Sequence, residues 1–198
     1  ILAAMLFEHL SAPLPSSDLR VPALYDRVAA TPGDFALLEL PIGWRNGARV
    51  AGKQDVIIMA QLWNQTGHGK RVLGGNTSRN PEFKFQYFSE LPTLARLIAL
   101  TNAADVPQHD ALRGQLAAMP ITDEDRTLAR EWAAFTNIRY VMVHRDRLPA
   151  ETEAAAVDLL ALQLVAEDGA LALYEVPASA PPAVYRVGED TGRMALGE

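Results

Sequence analysis

Phe35-Ala36-Leu37-Leu38-Glu39-Leu40 is a nearly continuous apolar run closed by Pro41. A strand with one wet face alternates apolar and polar side chains, and this run leaves no face for water. It reads as a strand buried on both sides, which requires a sheet covered above and below. Glu39 interrupts the run near its carboxyl end. Ile138-Arg139-Tyr140-Val141-Met142-Val143-His144 is the clearest strand of the chain, β-branched and aromatic-rich. Ala170 to Val176 is a last strong strand after a turn at Gly169, and Leu164-Val165 starts a shorter one.

Helical signals lie between these strands. Pro22 suits a first helical turn, and Leu24, Tyr25 and Val28 form an apolar stripe ended by Thr31-Pro32-Gly33-Asp34. Ile42 to Lys53 reads as a loop with three glycines. A helix follows over about 55–65, with Val56, Ile57, Met59, Ala60 and Trp63 as its expected buried face. A short strand over Arg71 to Gly74 completes a β-α-β unit, whose strands should be parallel. Phe83, Phe85, Tyr87 and Phe88 form an aromatic cluster that packs a loop onto the core, the alternative being a strand, which their near-alternation allows. Helices are predicted over 91–100 and 110–119. Thr122-Asp123-Glu124-Asp125 is a capping box, opening a helix to about Phe135 with Leu128, Ala129, Trp132 and Phe135 inward. Pro149 to Leu162 is helical, with glutamates in its first turn. Together these predict one α/β domain over 1–198: a sandwich with a mostly parallel sheet flanked by helices, and an antiparallel last pair. Residues 1–21 form an extended entry segment. The tail over 177–198 is partly irregular, with an edge strand over 183–187.

Charge and composition exclude several functions. The net charge is −6, so no general basic excess exists to neutralise nucleic-acid phosphates. There is no cysteine, hence no disulfide and no thiolate metal site. His9, His109 and His144 lack metal-ligand spacing, and no metal or cofactor is expected. The chain opens at Ile1, which suggests a trimmed product or a fragment. Its first seven residues are apolar, far short of the roughly 20 that span a membrane. They read as an entry strand or as the trailing end of a membrane helix.

In open parallel sheets, ligands bind outside the carboxyl ends of the strands. Three loops leave such ends here, and they carry Arg45, then Asn76, Ser78 and Arg79, then His144 and Arg145. If the strands are parallel, these side chains gather at one edge and suit a phosphate or carboxylate. The alternative is solvated loop residues or helix-end caps. A second candidate group is His68 and Lys70, flanked by Gly67 and Gly69 in an anion-binding turn, with Glu39 as a strand-end general base. Its alternatives are a C-cap glycine beside a histidine that serves the helix end, and a buried Glu39 paired with Arg45 or Arg79. The topology puts His68 and Lys70 at the edge opposite the arginines.

Other patterns fail. Gly67-x-Gly69 with Gly74-Gly75 precedes a strand and opens no helix, so it is neither a Walker loop nor a dinucleotide fingerprint. No nucleophile elbow is present. Asn64-Gln65-Thr66 and Asn76-Thr77-Ser78 match the glycosylation sequon, a short pattern that arises often by chance.

Several motifs occur together and in order. They are Phe7-Glu8-His9-Leu10 with Pro13 and Pro15, Val21-Pro22 with Tyr25, Pro32-Gly33-Asp34, Leu38-Glu39-Leu40-Pro41, Gln65-Thr66-Gly67-His68-Gly69-Lys70, Gly74-Gly75 and Ser78-Arg79. In this order the chain resembles the carboxy-terminal extracytoplasmic domain of bacterial polytopic membrane proteins related to the GT-C glycosyltransferases. The resemblance covers roughly the first 90 residues closely and the strand at Ile138 to His144 more loosely. It implies an accessory domain at the extracytoplasmic face, non-catalytic by itself. Its partner would be the membrane-embedded part of the same polypeptide, and its ligand a glycan or a polyprenyl-phosphate sugar. The alternatives are a free-standing α/β enzyme or binding protein for a small anionic ligand, and a structural or interaction module.

Overall fold

The computed structural model describes residue 7 and residues 19–46, 49–53, 56–77, 86–87, 90–104 and 110–179. Along these residues the elements are α1 (Leu24–Ala30), β1 (Ala36–Leu40), β2 (Gly43–Asn46), β3 (Arg49–Gly52), α2 (Ile57–His68), β4 (Arg71–Leu73) and β5 (Gly75–Thr77). They continue with α3 (Pro92–Ala104), α4 (Asp110–Ala118), α5 (Asp123–Phe135), β6 (Ile138–His144), α6 (Ala150–Leu160), β7 (Gln163–Asp168) and β8 (Leu171–Glu175). A 3-10 turn over Arg145–Arg147 leaves β6.

The fold is α/β, as the apolar runs require. The larger sheet has the order β4-β1-β6-β8-β7. β1 pairs in parallel with both β4 and β6. β8 runs antiparallel to β6 and to β7, which gives the expected antiparallel last pair. All five residues of β1 are buried. Alternate residues of the central strands feed two separate cores. Leu38, Leu40, Val141 and Val143 pack with Leu94, Leu97, Trp132 and Ala156 from α3, α5 and α6. Leu37, Tyr140, Met142 and Leu173 pack with Leu24, Tyr25 and Val28 of α1 on the opposite face.

Local signals set several element ends. Thr122 Oγ1 accepts from the Asp125 N–H at 3.1 Å, and Asp125 accepts from the Thr122 N–H at 2.8 Å, completing the capping box. The Thr122 backbone donor holds the Asp125 carboxyl below its ordinary range. Gly69 ends α2 in the left-handed region at φ 65°, with its N–H donating to the Gln65 carbonyl. Glycine reaches that conformation without strain.

Four expectations need correction. Ile42 to Lys53 is not a loop: β2 and β3 form an antiparallel hairpin there, and β5 adds in parallel to make a second, three-stranded sheet. Glycine-rich, charged chain hid a hairpin in which Trp44, Val50 and Ala51 are only partly buried. Asn76 and Thr77, read as loop, belong to β5. Phe135 is exposed, since α5 turns Trp132 and Ala133 to the core instead.

The fourth correction is the largest. Of the expected face of α2 only Ile57 is buried: Ala60 is exposed, and Val56, Met59 and Trp63 are 71%, 54% and 46% exposed. The buried face is Ile57, Ile58, Gln61, Asn64 and His68. Both stripes have helical spacing, so periodicity alone did not separate them. The polar stripe lies inside because its side chains find partners there. Gln61 Nε2 donates to the Pro41 carbonyl at 3.0 Å, for example. Of the aromatic cluster only Tyr87 is described. It sits in a helical turn, accepting from Trp132 Nε1 at 2.8 Å. The remaining aromatics, the entry segment before Leu19 apart from Phe7, and the strand over 183–187 lie outside the described residues.

Candidate functional site

The carboxyl ends of β1 and β6 lie side by side, with Glu39 opposite Met142 and Leu40 opposite Val143 in the register. From β1 the chain passes through α2 to β4 on one flank, while β6 occupies the other flank. Connections therefore part on either side of this junction. Such a topological switch point is where open α/β sheets hold ligands.

Three buried side chains meet there. Glu39 comes from β1, His144 from the end of β6, and Tyr25 from α1. The Tyr25 hydroxyl donates to Glu39 Oε2 at 2.8 Å. His144 Nε2 lies 2.9 Å from the same oxygen and 3.2 Å from the Tyr25 hydroxyl. Glu39 is only 2% exposed, so its carboxyl group is held by these partners and not by water. Burial, and then the negative charge of Glu39, push the Tyr25 hydroxyl well above its ordinary pKa, with a hydrogen bond to Asn64 acting the other way. Tyr25 is thus a fixed donor in this cluster.

His68 joins from the last turn of α2. Its ring stacks on Tyr25, with centroids 5.5 Å apart and planes at 12°. Its Nδ1 accepts the Lys70 N–H at 3.1 Å. Burial, and then the nearby Lys70 charge, lower the His68 pKa. The ring is accordingly neutral at pH 7, with its proton on Nε2. Gln61 and Asn64 complete a buried polar stripe on α2 above the cluster. Two atoms are left without a partner: Glu39 Oε1 and His68 Nε2.

Of the anion-binding group expected at this edge, the structure brings Arg45 and Asn76 into register as neighbours in the small sheet. It does not bring His144 and Arg145 together. His144 ends β6 and turns toward Tyr25 of α1, while Arg145 opens the 3-10 turn and reaches Glu153 of α6. The Arg145 guanidinium is committed to Glu153 at 2.9 Å, to Glu167 and to the Tyr174 hydroxyl at 3.1 Å. Those partners, led by Glu167, raise its pKa further. Asn76 is exposed and donates to Met59 Sδ at 3.5 Å. Ser78 and Arg79 lie outside the described residues.

The second candidate group divides differently. Lys70 donates through Nζ to the carbonyls of Thr31 and Gly33 at 2.8 and 3.0 Å, and lies 4.6 Å over the Phe35 ring. It fastens the chain after α1. Glu39 pairs with Tyr25 and His144, not with an arginine. Through Tyr25, His68 becomes a neighbour of this cluster, although the topology alone placed it at the other edge. Asn64 of the first sequon is buried.

Tyr25, Gln61 and Asn64 were not among the expected site residues. One signal could have found the last two: with His68 they form a polar stripe at i, i+3 and i+7 inside a helix. Nothing in the sequence pairs Tyr25 with Glu39.

The larger described cavity, about 720 Å³, opens at the other end of β6. Its charged lining residues, Arg139 and Glu175, pair with each other at 3.5 Å. Among the described residues no group of histidines and carboxylates could hold a metal ion, and no helix is long and apolar enough to cross a membrane. No family model matches the chain, and no curated protein or solved structure matches it.

Proposed function

We propose that this chain is a non-catalytic accessory domain of a membrane protein resembling the GT-C glycosyltransferases, held at the extracytoplasmic face. It docks on the membrane-embedded part of the same polypeptide through the outer face of α2. The orientation of that helix carries the reading. α2 keeps Gln61, Asn64 and His68 inside and presents Val56, Met59 and Trp63 outward. An apolar stripe kept on the surface while polar groups are buried suits a face covered by a partner. Leu19, also exposed, extends the stripe, and its carbonyl accepts from the Trp63 indole at 2.6 Å.

A photo-crosslinking amino acid at Met59 in the full-length membrane protein tests this. The expected product is an intramolecular crosslink to the membrane-embedded region, diminished by Trp63→Ser. A gene that encodes no membrane helices upstream, or a residue 59 that crosslinks nothing in its own polypeptide, would sink the reading.

A second reading is favoured by the polar cluster at the switch point. There the domain holds a small polar ligand between β1, β6 and α2, whether or not it docks. The expected anionic ligand finds less support, because the group at the centre is a buried carboxylate and Arg145 is occupied by acidic partners.

A further inference from the structure

The cavity of about 720 Å³ at the start of β6 has the size of a small-molecule site. Among the described residues its charged lining is Arg139 and Glu175 alone. An irregularity in β6 delivers the arginine. In the register with β1, Ala36 faces Ile138 and Leu37 faces Tyr140, so Arg139 is an extra residue. A bulge of this kind bends the strand and re-aims a side chain. The Arg139 guanidinium lies 5.7 Å from the centre of the Phe35 ring and 5.4 Å from that of Tyr140. Both rings are buried, and their faces attract and orient the cation.

Arg139 Nε stands 3.5 Å from Glu175 Oε1. The contact is an ion pair and not a hydrogen bond, and among the described residues neither side chain hydrogen-bonds elsewhere. Each is 42% exposed, so water screens the pair and it parts at small cost. A donor fork and a carboxylate are thus both open to a ligand. Phe135, 45% exposed, adds an apolar wall with Ile138 and Val176. The carboxyl end of α5 also lines the cavity and contributes partial negative charge.

We propose that this cavity binds a free α-amino acid with an apolar side chain. The site is separate from both readings above and shares none of their residues. The ligand carboxylate accepts paired hydrogen bonds from the Arg139 fork, and the ligand ammonium donates to Glu175. An α-amino acid carries its two charges on adjacent carbon atoms, which suits partners 3.5 Å apart. Its side chain lies against Phe135 and Ile138. A simple carboxylate meets the repulsion of Glu175, and a simple amine meets that of Arg139.

The test is a titration of the purified 198-residue chain, observed through the backbone amide resonances of Asn137 and Val176. The probes are leucine, 4-methylpentanoate, which lacks the ammonium, and 3-methylbutylamine, which lacks the carboxylate. Each is taken to about 10 mM, enough to reveal millimolar binding. The expected result is a saturable shift with leucine. Affinity should be about tenfold or more weaker for each one-charge analogue, and weaker by the same factor for leucine with Arg139→Gln or Glu175→Gln, the loss of one charged hydrogen bond. The analogue series needs only the wild-type chain, so it decides the matter even if a variant fails to fold. No saturable shift with leucine would overturn the proposal. So would an analogue that binds as tightly as leucine, or leucine binding that survives both substitutions.

Discussion

Tyr25 and His68 stack face to face, 5.5 Å between centroids, and so tie α1 to the last turn of α2. The contact joins two otherwise separate devices. One is the Glu39–His144 pair at the strand ends. The other is the Gly69–Lys70 turn, which fastens α1 through the Thr31 and Gly33 carbonyls. A change at either end is therefore felt at the other.

His68 should make stability depend on pH in a defined window. Its folded pKa lies below the ordinary 6.5, so the unfolded chain binds the proton first as pH falls. The stabilisation is complete above about 6.5 and is lost as pH drops through the folded value. At pH 8, His68→Phe is expected to cost about 1 kcal/mol, the lost acceptor for the Lys70 N–H. The gap between wild type and variant, measured by urea unfolding, should narrow toward pH 5.5. A gap that widens on acidification would contradict the buried neutral imidazole.

Tyr25→Phe keeps the ring on His68 and removes only the hydroxyl donated to Glu39. A loss of about 1–3 kcal/mol is expected, because a buried carboxylate oxygen is deprived of a donor. Chemical denaturation decides it. A neutral outcome would mean that Glu39 does not depend on Tyr25.

Arg145 ties β6 to α6, β7 and β8 through Glu153, Glu167 and Tyr174. Its side chain is one-third exposed, so solvent screens part of the attraction. Arg145→Ala should cost about 1–2 kcal/mol and Arg145→Lys nearly as much, because an ammonium cannot reproduce the fork of bonds. Thermal unfolding of both variants, at low and high salt, measures this. Full retention of stability in the lysine variant would show that charge alone suffices.

Two glycines should respond in opposite directions. Gly52 has φ +80°, and a Cβ there would sit 2.2 Å from the Ile42 carbonyl oxygen. Gly52→Ala is expected to destabilise by at least about 1–3 kcal/mol. Gly114 lies within α4 with nothing within 4 Å of a built Cβ. Gly114→Ala should stabilise by about 0.5–1 kcal/mol. Melting curves of the two variants against wild type are the check.

The sheet was legible because burial on both faces leaves a compositional trace. Phe35 to Leu40 and Ile138 to His144 could be nothing but central strands, and β1 and β6 are the most enclosed strands of the structure. The Thr122 capping box was legible because its parts lie three residues apart. The site was only half legible. Glu39, His68 and His144 stood out as polar groups in or beside apolar runs, but what holds them is long-range. Tyr25 is 119 residues from His144 and 14 from Glu39, and no local pattern records such a meeting. The α2 error has the same origin: a helix with two competing stripes is oriented by its partners, and those partners come from β1 and α1.

The seam between β1 and β6 also has a consequence in time. Ala36 pairs with Ile138, roughly 100 residues later, and pairings so distant are slow to form because loop closure precedes any reward. During synthesis β1 emerges with its apolar side chains and one ladder edge unsatisfied until β6 leaves the ribosome. At elongation rates of about 5–20 residues per second, that exposure lasts on the order of 5–20 seconds. A nascent chain stalled before Ile138 should therefore be a substrate for chaperones, and one released after Val176 should not.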